Sequence, residues 1–230
     1  MVKVGIVGVS GYSGCEVLKI LLQHPDVRVM YVSANSSEGS IDEMWPELAG
    51  QCSLVCSKFD FAAAKEMDVV FLAVPHTVSM QLTPQFVKAG VRVIDLSADY
   101  RLNDANAYKE WYNTEHVDAE NLNTAIYGLP ELYRADIKEA KLIANPGCYP
   151  TAAILALTPL MAVHGQDMDS IAIDAKSGVS GAGRKASLAL SHAKVNENFK
   201  AYKVLHHQHT PEIDLYLSKV ADKDIQVDFV

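Results

Sequence analysis

The chain has 230 residues, 49% of them hydrophobic, enough for one large core or two modest ones. With 20 Lys and Arg against 28 Asp and Glu the net charge is −8, and no basic stripe interrupts it, so the composition excludes a phosphate-backbone binder and no nucleic-acid partner is expected. No apolar run reaches the roughly 18 residues of a membrane-spanning helix, so no membrane partner is expected either.

The opening residues, Met1-Val2-Lys3-Val4-Gly5-Ile6-Val7, are too short an apolar run and too weakly charged for a secretory leader, and they lack the Arg-rich character of a transit peptide. A cytoplasmic location is expected. Residues 2–9 read as a buried strand, and Val17, Leu18, Leu21 and Leu22 give residues 15–23 a helical period. Further strands are predicted over 27–33, 68–74, 91–96 and 141–144, with a helix over 77–89. Such alternation predicts an α/β fold with a doubly wound parallel sheet. After residue 150 the pattern changes to a helix over 150–164, a strand over 170–176, a Gly/Ser-rich turn over 177–183, helical segments starting at Arg184 and Thr210, and a strand over 225–230. The expected division is a nucleotide-binding domain over 1–147 and a second α+β domain over 148–230, which stops inside a strand and is expected to be incomplete. Cys15, Cys52, Cys56 and Cys148 read as reduced thiols; Cys52 and Cys56 suit packing on one face of a strand better than zinc, and no metal is expected.

The first strand runs into Gly8-Val9-Ser10-Gly11-Tyr12-Ser13-Gly14 and then a helix. That context lets glycines bring the backbone close to a pyrophosphate while the helix N-terminus offers unpaired N–H groups and partial positive charge. The spacing is G-x-x-G-x-x-G rather than G-x-G-x-x-G, and a plain glycine turn is the competing reading. Gly8, Ser10, Gly11, Tyr12, Ser13 and Gly14 are the candidate cofactor residues. The second strand ends in Ser33-Ala34-Asn35-Ser36-Ser37, where an NAD enzyme places an acid. Ser33 and Ser36 can donate to a 2′-phosphate that an acid would repel, so NADP(H) is predicted over NAD, with Asp26 and Glu38 as the residues that could reverse it. Pro75 and His76 close a further strand; His76 either meets the cofactor or caps the next helix.

Asn145-Pro146-Gly147-Cys148-Tyr149-Pro150-Thr151 links a strand to a long apolar helix, and Pro150 suits the first turn. Cys148 then sits where the helix dipole and free N–H groups stabilise a thiolate and can hold an oxyanion. A nucleophile needs a base. His24, His116 and His164 fall in expected surface turns, whereas His206, His207 and His209 cluster before Thr210-Pro211-Glu212; spacing alone does not choose among these three. The segment Ser177-Gly178-Val179-Ser180-Gly181-Ala182-Gly183-Arg184-Lys185 is either a solvated turn or a phosphate pocket. As a pocket, it offers Ser177 and Gly178 to the cofactor and Ser180, Gly181 and Arg184 to substrate or phosphate. Arg101, in Ser97-Ala98-Asp99-Tyr100-Arg101, either binds a carboxylate or phosphate or pairs with Asp99 or Asp104.

These motifs resemble one family closely, N-acetyl-γ-glutamyl-phosphate reductase of arginine biosynthesis, in the semialdehyde dehydrogenase superfamily. Residues 8–14 resemble its nucleotide turn, 97–101 its S-A-D-x-R motif, Tyr127-Gly128-Leu129-Pro130-Glu131 another of its stretches, and 146–151 its active-site signature. Residues 177–185 and Asn196-Glu197-Asn198 are also similar to family segments. The resemblance implies a Rossmann-type first domain, a catalytic and dimerisation second domain, and a homo-oligomer, dimer or tetramer. It also implies the reaction: the Cys148 thiolate displaces phosphate from the acyl phosphate, and NADPH reduces the thioester to N-acetylglutamate semialdehyde. The family's His-Arg-His-x-x-Glu stretch is similar to His207-Gln208-His209-Thr210-Pro211-Glu212, which implies His209 as the acid/base with His207 next, and Gln208 departs from it. Family members continue for about a hundred residues more, the source of the expectation of an incomplete second domain. The competing readings are another acyl-phosphate reductase, such as aspartate-semialdehyde dehydrogenase or an aminoadipate reductase, and a catalytically silent NADP-binding module.

Overall fold

Parallel strands form where β-branched runs are densest, and the computed structural model, which describes residues 1–35, 37–168 and 170–230, assembles them into one sheet. Strand β1 (Val2–Val7) feeds helix α1 (Tyr12–Leu22), and β2 (Val27–Ser33) returns beside it. A small antiparallel pair, β3 (Gly39–Ser40) and β4 (Val55–Cys56), brackets the short α2 (Ile41–Met44). Next come α3 (Phe61–Ala64), β5 (Val69–Leu72), α4 (Ser79–Lys88), β6 (Arg92–Asp95), α5 (Ala105–Tyr112) and α6 (Ala119–Leu122). The sheet closes with β7 (Ile126–Tyr127), α7 (Pro130–Glu139) and β8 (Leu142–Ala144). Beyond it lie α8 (Cys148–His164), β9 (Ile171–Ile173), α9 (His192–Val195), α10 (Thr210–Ala221) and β10 (Val227–Phe229).

The sheet order is β2-β1-β5-β6-β8-β7, and each neighbouring pair is parallel. Both faces are covered. Val4, Ile6 and Val32 pack with Leu18 and Leu21 of α1, while Val70, Leu72 and Val93 pack with Met80 and Phe86 of α4. Because the strands are parallel, the segments after β1, β5, β6 and β8 emerge at one edge, where doubly wound sheets bind ligands. The glycine turn, Pro75-His76, the Ser97–Arg101 segment and the Cys148 turn all follow those strands, so they share that edge.

The second part is smaller. Helices α8 and α10 pack on each other through Ile154, Met161, Ile213 and Leu217, and β9 pairs parallel with β10. Tyr127 of β7 stacks on Tyr216 of α10 with ring centroids 3.4 Å apart, which ties this core to the main sheet.

Several boundaries differ from expectation. Helix α8 starts at Cys148, two residues before the expected start at 150. The helix expected from Arg184 is absent; a 3-10 turn at Leu188–Leu190 and the four-residue α9 stand there. That stretch is exposed and lacks an apolar stripe to bury. Strand β7 was not expected, because two residues give no readable period, and α7 is rich in charge. Cys52 and Cys56 are both buried, but only Cys56 lies in a strand.

One carboxylate joins the two parts. Glu212, 1% exposed in the first turn of α10, accepts from the Tyr127 hydroxyl at 2.8 Å and the Gly147 N–H at 2.9 Å through Oε1. Its Oε2 faces Arg101 Nη1 at 3.5 Å. Removing one partner of a buried ion pair leaves the other charge uncompensated. Glu212→Ala should therefore lower unfolding stability by about 3–5 kcal/mol in urea titration, and a loss below about 1 kcal/mol would contradict this role.

Candidate active site

The glycine turn has the shape a dinucleotide needs. Gly8 has φ +99, and a β-carbon there would lie 2.1 Å from the Ala73 carbonyl oxygen; one on Gly14 would lie 2.3 Å from the Gly8 oxygen. Any side chain at these positions would break the approach of β1 and α1 to the neighbouring backbone. A β-carbon on Gly11 would meet nothing closer than 3.6 Å, so the open side of the turn lies there. Gly11 is the N-cap of α1 with no side-chain cap, and no acid occupies the first turn. Free N–H groups and the positive end of the helix dipole therefore face that opening, which fits a pyrophosphate. Trp45 supports the turn from below by donating its indole N–H to the Val9 carbonyl at 3.0 Å.

Two expected cofactor residues need comment. Ser33 is fully buried, with no partner for its Oγ. The expectation that it donates to a 2′-phosphate is corrected: its carbonyl instead accepts from the N–H groups of Gly8 and Val9 and holds the turn. Ser36 lies outside the described residues. Ser10 and Gly11 are partly exposed on the turn, Tyr12 and Ser13 are exposed, and Pro75 is exposed at the end of β5. His76 does not cap α4; its ring packs on Tyr112, and Asp99 accepts from the N–H groups of Thr77 and Met80 instead. Glu38 is paired with Lys58 at 3.7 Å.

Cys148 is exposed, and Cys15, Cys52 and Cys56 are buried. Its helix has no side-chain cap at Gly147 and no acid in the first turn. The Gly147 carbonyl is turned inward, accepting from Thr151 N at 2.9 Å and Thr151 Oγ1 at 2.8 Å, while the N–H of Gly147 is held by Glu212. The cysteine thus stands on a turn clamped on both sides. A β-carbon added to Gly147 would come within 2.6 Å of His209 Nε2 and 3.0 Å of Arg101 Nη1. Glycine is required there because the imidazole packs directly on the residue before Cys148.

His209 and His207 lie together, ring centroids 4.7 Å apart, and each meets the Tyr149 ring edge-on. The N–H of His209 donates to His207 Nδ1 at 3.0 Å. Burial, then the Arg101 charge, lowers the His209 imidazole from its usual value to about 3; burial, then the Lys203 charge, lowers His207 to about 4. Both are therefore neutral near pH 7. His209 Nδ1 is buried without a partner. His206 instead stacks on Trp111, and His116, expected on a surface turn, is half-buried with Nε2 against the Asp99 carbonyl at 2.8 Å.

Arg101 is occupied. Nε donates to the Asn145 carbonyl and Nη2 to the Leu96 carbonyl, both at 2.8 Å, and Nη1 faces Glu212. The expectation that it binds substrate or phosphate is corrected: at 7% exposure it braces the Cys148 turn from beneath. Its pairing with Asp99 or Asp104 is also not found; Asp104 caps α5. Arg184 is displaced from the expected pocket as well. Its guanidinium lies over the Trp45 ring at 4.2 Å and donates to the carbonyls of Ser10 at 3.0 Å and Met44 at 3.4 Å, which puts it on the nucleotide turn. Ser177, Gly178, Ser180 and Gly181 are exposed on the intervening turn, and Ser177 Oγ accepts from the Tyr149 hydroxyl at 2.9 Å. Trp45 and Tyr202 were not singled out from sequence, and Glu212 was named only as the end of the family-like His207–Glu212 stretch. A Glu three residues after His209 in the first turn of α10 was the available signal for Glu212, present in the His207–Glu212 stretch but given no role there. Among the described residues no His, Cys, Asp and Glu cluster forms a metal site, and no helix is long and apolar enough to cross a membrane.

The model of the semialdehyde dehydrogenase NAD binding domain matches residues 3–140, and that of the semialdehyde dehydrogenase dimerisation domain matches residues 148–230. Curated relatives include the N-acetyl-γ-glutamyl-phosphate reductases of Pelotomaculum thermopropionicum and Campylobacter curvus. The first is 46% identical over 99% of this chain and 66% of its own; the second is 49% identical over 100% of this chain and 67% of its own. The chain thus spans about two thirds of the length of the curated relatives it matches. Aspartate semialdehyde dehydrogenase II from Vibrio cholerae, solved with ASA, shares the fold with a TM-score of 0.68 at 16% identity, covering 100% of this chain and 69% of that one. Aspartate semialdehyde dehydrogenase from Candida albicans, solved with NADP, gives a TM-score of 0.59 at 14% identity, covering 100% of this chain and 67% of that one. The chain belongs to the semialdehyde dehydrogenase family, and within it to the N-acetyl-γ-glutamyl-phosphate reductases.

Proposed function

We propose that the protein reduces N-acetyl-γ-glutamyl phosphate to N-acetylglutamate semialdehyde with release of inorganic phosphate, through a thioester on Cys148. The observation that carries this reading is the one exposed cysteine among the described residues, first in an uncapped helix and next to a glycine against which His209 packs. His209, neutral and buried, takes the thiol proton as sulfur bonds to the acyl carbon. The tetrahedral oxygen faces the open N-terminus of α8, and its collapse expels phosphate, which takes a proton from solvent. NADP(H), when bound at the glycine turn, supplies the hydride that reduces the thioester carbonyl. The sulfur–carbon bond then breaks, the aldehyde leaves, and protonated His209 returns its proton to sulfur.

The cofactor reading is supported by the Gly8–Gly14 turn and by the uncharged Ser33-Ala34-Asn35 at the end of β2, with Glu38 facing Lys58 at 3.7 Å. Arg184, lying on Trp45 beside Ser10, belongs in this reading to the nucleotide rather than to the acyl phosphate. The working unit is taken to be a homo-oligomer in the cytoplasm, on the strength of the dimerisation-domain match and the free thiols.

Cys148→Ser should abolish turnover while leaving NADPH affinity within about twofold; a residual rate above about 1% of wild type would remove the nucleophile assignment. His209→Asn should cost about a hundredfold or more in kcat with the acyl phosphate, and a larger loss in His207→Asn would transfer the acid/base role to that residue. Arg184→Ala should raise the NADPH KM about tenfold and leave the acyl-phosphate KM nearly unchanged in initial-rate kinetics; the reverse pattern would return Arg184 to the substrate.

A further inference from the structure

The proposed substrate is anionic at both its carboxylate and its phosphoryl end, whereas the chain carries a net charge of −8. The residues around Cys148 therefore have to supply a cation. Arg101 is spent on Asn145, Leu96 and Glu212, Arg184 lies over Trp45, and the two histidines are neutral. Lys203 stands on the loop that leads into the histidine pair and is bonded to the residue between the two histidines.

Lys203 is exposed, and its Nζ donates to Gln208 Oε1 at 2.6 Å. Gln208 sits between His207 and His209. The adjacent Tyr202 donates its hydroxyl to that of Tyr149 at 3.3 Å, and its ring meets His207 edge-on at 5.5 Å. The loop is therefore fastened to the residue after Cys148 on one side and to the histidine segment on the other. Lys203 and Leu205 both adopt left-handed backbone, with φ 47 and φ 56. Such conformations are costly for non-glycine residues and persist where surrounding contacts hold them. The Lys203 charge also reaches both imidazoles, helping to keep them unprotonated.

We propose that Lys203, steered by Gln208, is a substrate-binding residue whose ammonium pairs with an oxyanion of the acyl phosphate while the substrate's carbonyl lies at Cys148. This inference rests on the proposed reaction for the identity of the ligand. An ammonium is a compact point charge that suits a carboxylate or a phosphate, and one hydrogen bond to Gln208 leaves two of its donors free.

The test compares wild type, Lys203→Met, Lys203→Arg and the double variant Lys203→Met with Gln208→Arg in the intact protein. Lys203→Met should raise the acyl-phosphate KM by about tenfold or more with the NADPH KM within about twofold, and Lys203→Arg should stay within about threefold of wild type. The double variant, which moves the cation to the neighbouring position, should recover most of the loss. Calorimetric titration with inorganic phosphate and with N-acetylglutamate reads the same contact without turnover. Weaker binding of phosphate assigns Lys203 to the phosphoryl end, and weaker binding of N-acetylglutamate alone assigns it to the carboxylate. Unchanged affinity for both, or an equal rise in the two KM values, overturns the inference. Absence of wild-type turnover alongside weakened anion binding in Lys203→Met would instead overturn the proposed reaction and leave the anion site standing.

Discussion

The arrangement around Cys148 depends on the burial of one carboxylate. Glu212 enters from α10, and its two oxygens meet the Gly147 N–H, the Tyr127 hydroxyl and the Arg101 guanidinium. A charge at 1% exposure is tolerable only if its partners are in place, so the three segments that supply them are held in register with α10. The same helix carries His209 at its N-cap. Positioning Glu212 therefore positions the imidazole, and holding Gly147 positions the cysteine that follows. A base and a nucleophile on different elements are aligned through a residue that need not touch substrate.

The glycine turn is organised differently. Its geometry comes from backbone sterics at Gly8 and Gly14 and from the Ser33 carbonyl, while Trp45 fills the space beneath. Arg184 then reaches from the second part of the chain to lie on that tryptophan. One cation crosses to the nucleotide side, another is buried under the cysteine turn, and a third stands on the histidine loop. All three carry one positive charge; their environments give them different work. Burial and carbonyl acceptors make Arg101 a brace, a π face and exposed carbonyls hold Arg184 at the turn, and exposure leaves Lys203 free to meet an anion.

Much of the fold was legible because parallel strands buried on both faces read as β-branched runs, and β2 matches its expected span of 27–33. Strand β7 was not, since two residues carry no period and its place at the sheet edge depends on pairing with β8. The helix expected from Arg184 failed for the converse reason: a residue pattern compatible with helix has no core to pack against there. Within the site, Cys148 was readable from Pro-Gly before it and an apolar helix after it. Ser33 and Arg101 were misjudged because hydroxyl and guanidinium groups serve ligands and buried carbonyls equally well, and sequence does not report burial.

By itself the sequence determined local chemistry: a strand-turn-helix that only glycines permit, a cysteine at a helix start, and a pair of histidines before another. These follow from steric and dipolar rules that act over a few residues. The tertiary structure decided which partners those groups meet. It buried Arg101 against Glu212, sent Arg184 to the nucleotide turn, set His209 against Gly147, and joined Lys203 to Gln208. Apart from the local Lys203–Gln208 bond, these pairings join segments far apart in the chain, brought together by packing and by the cost of leaving buried charges unpaired.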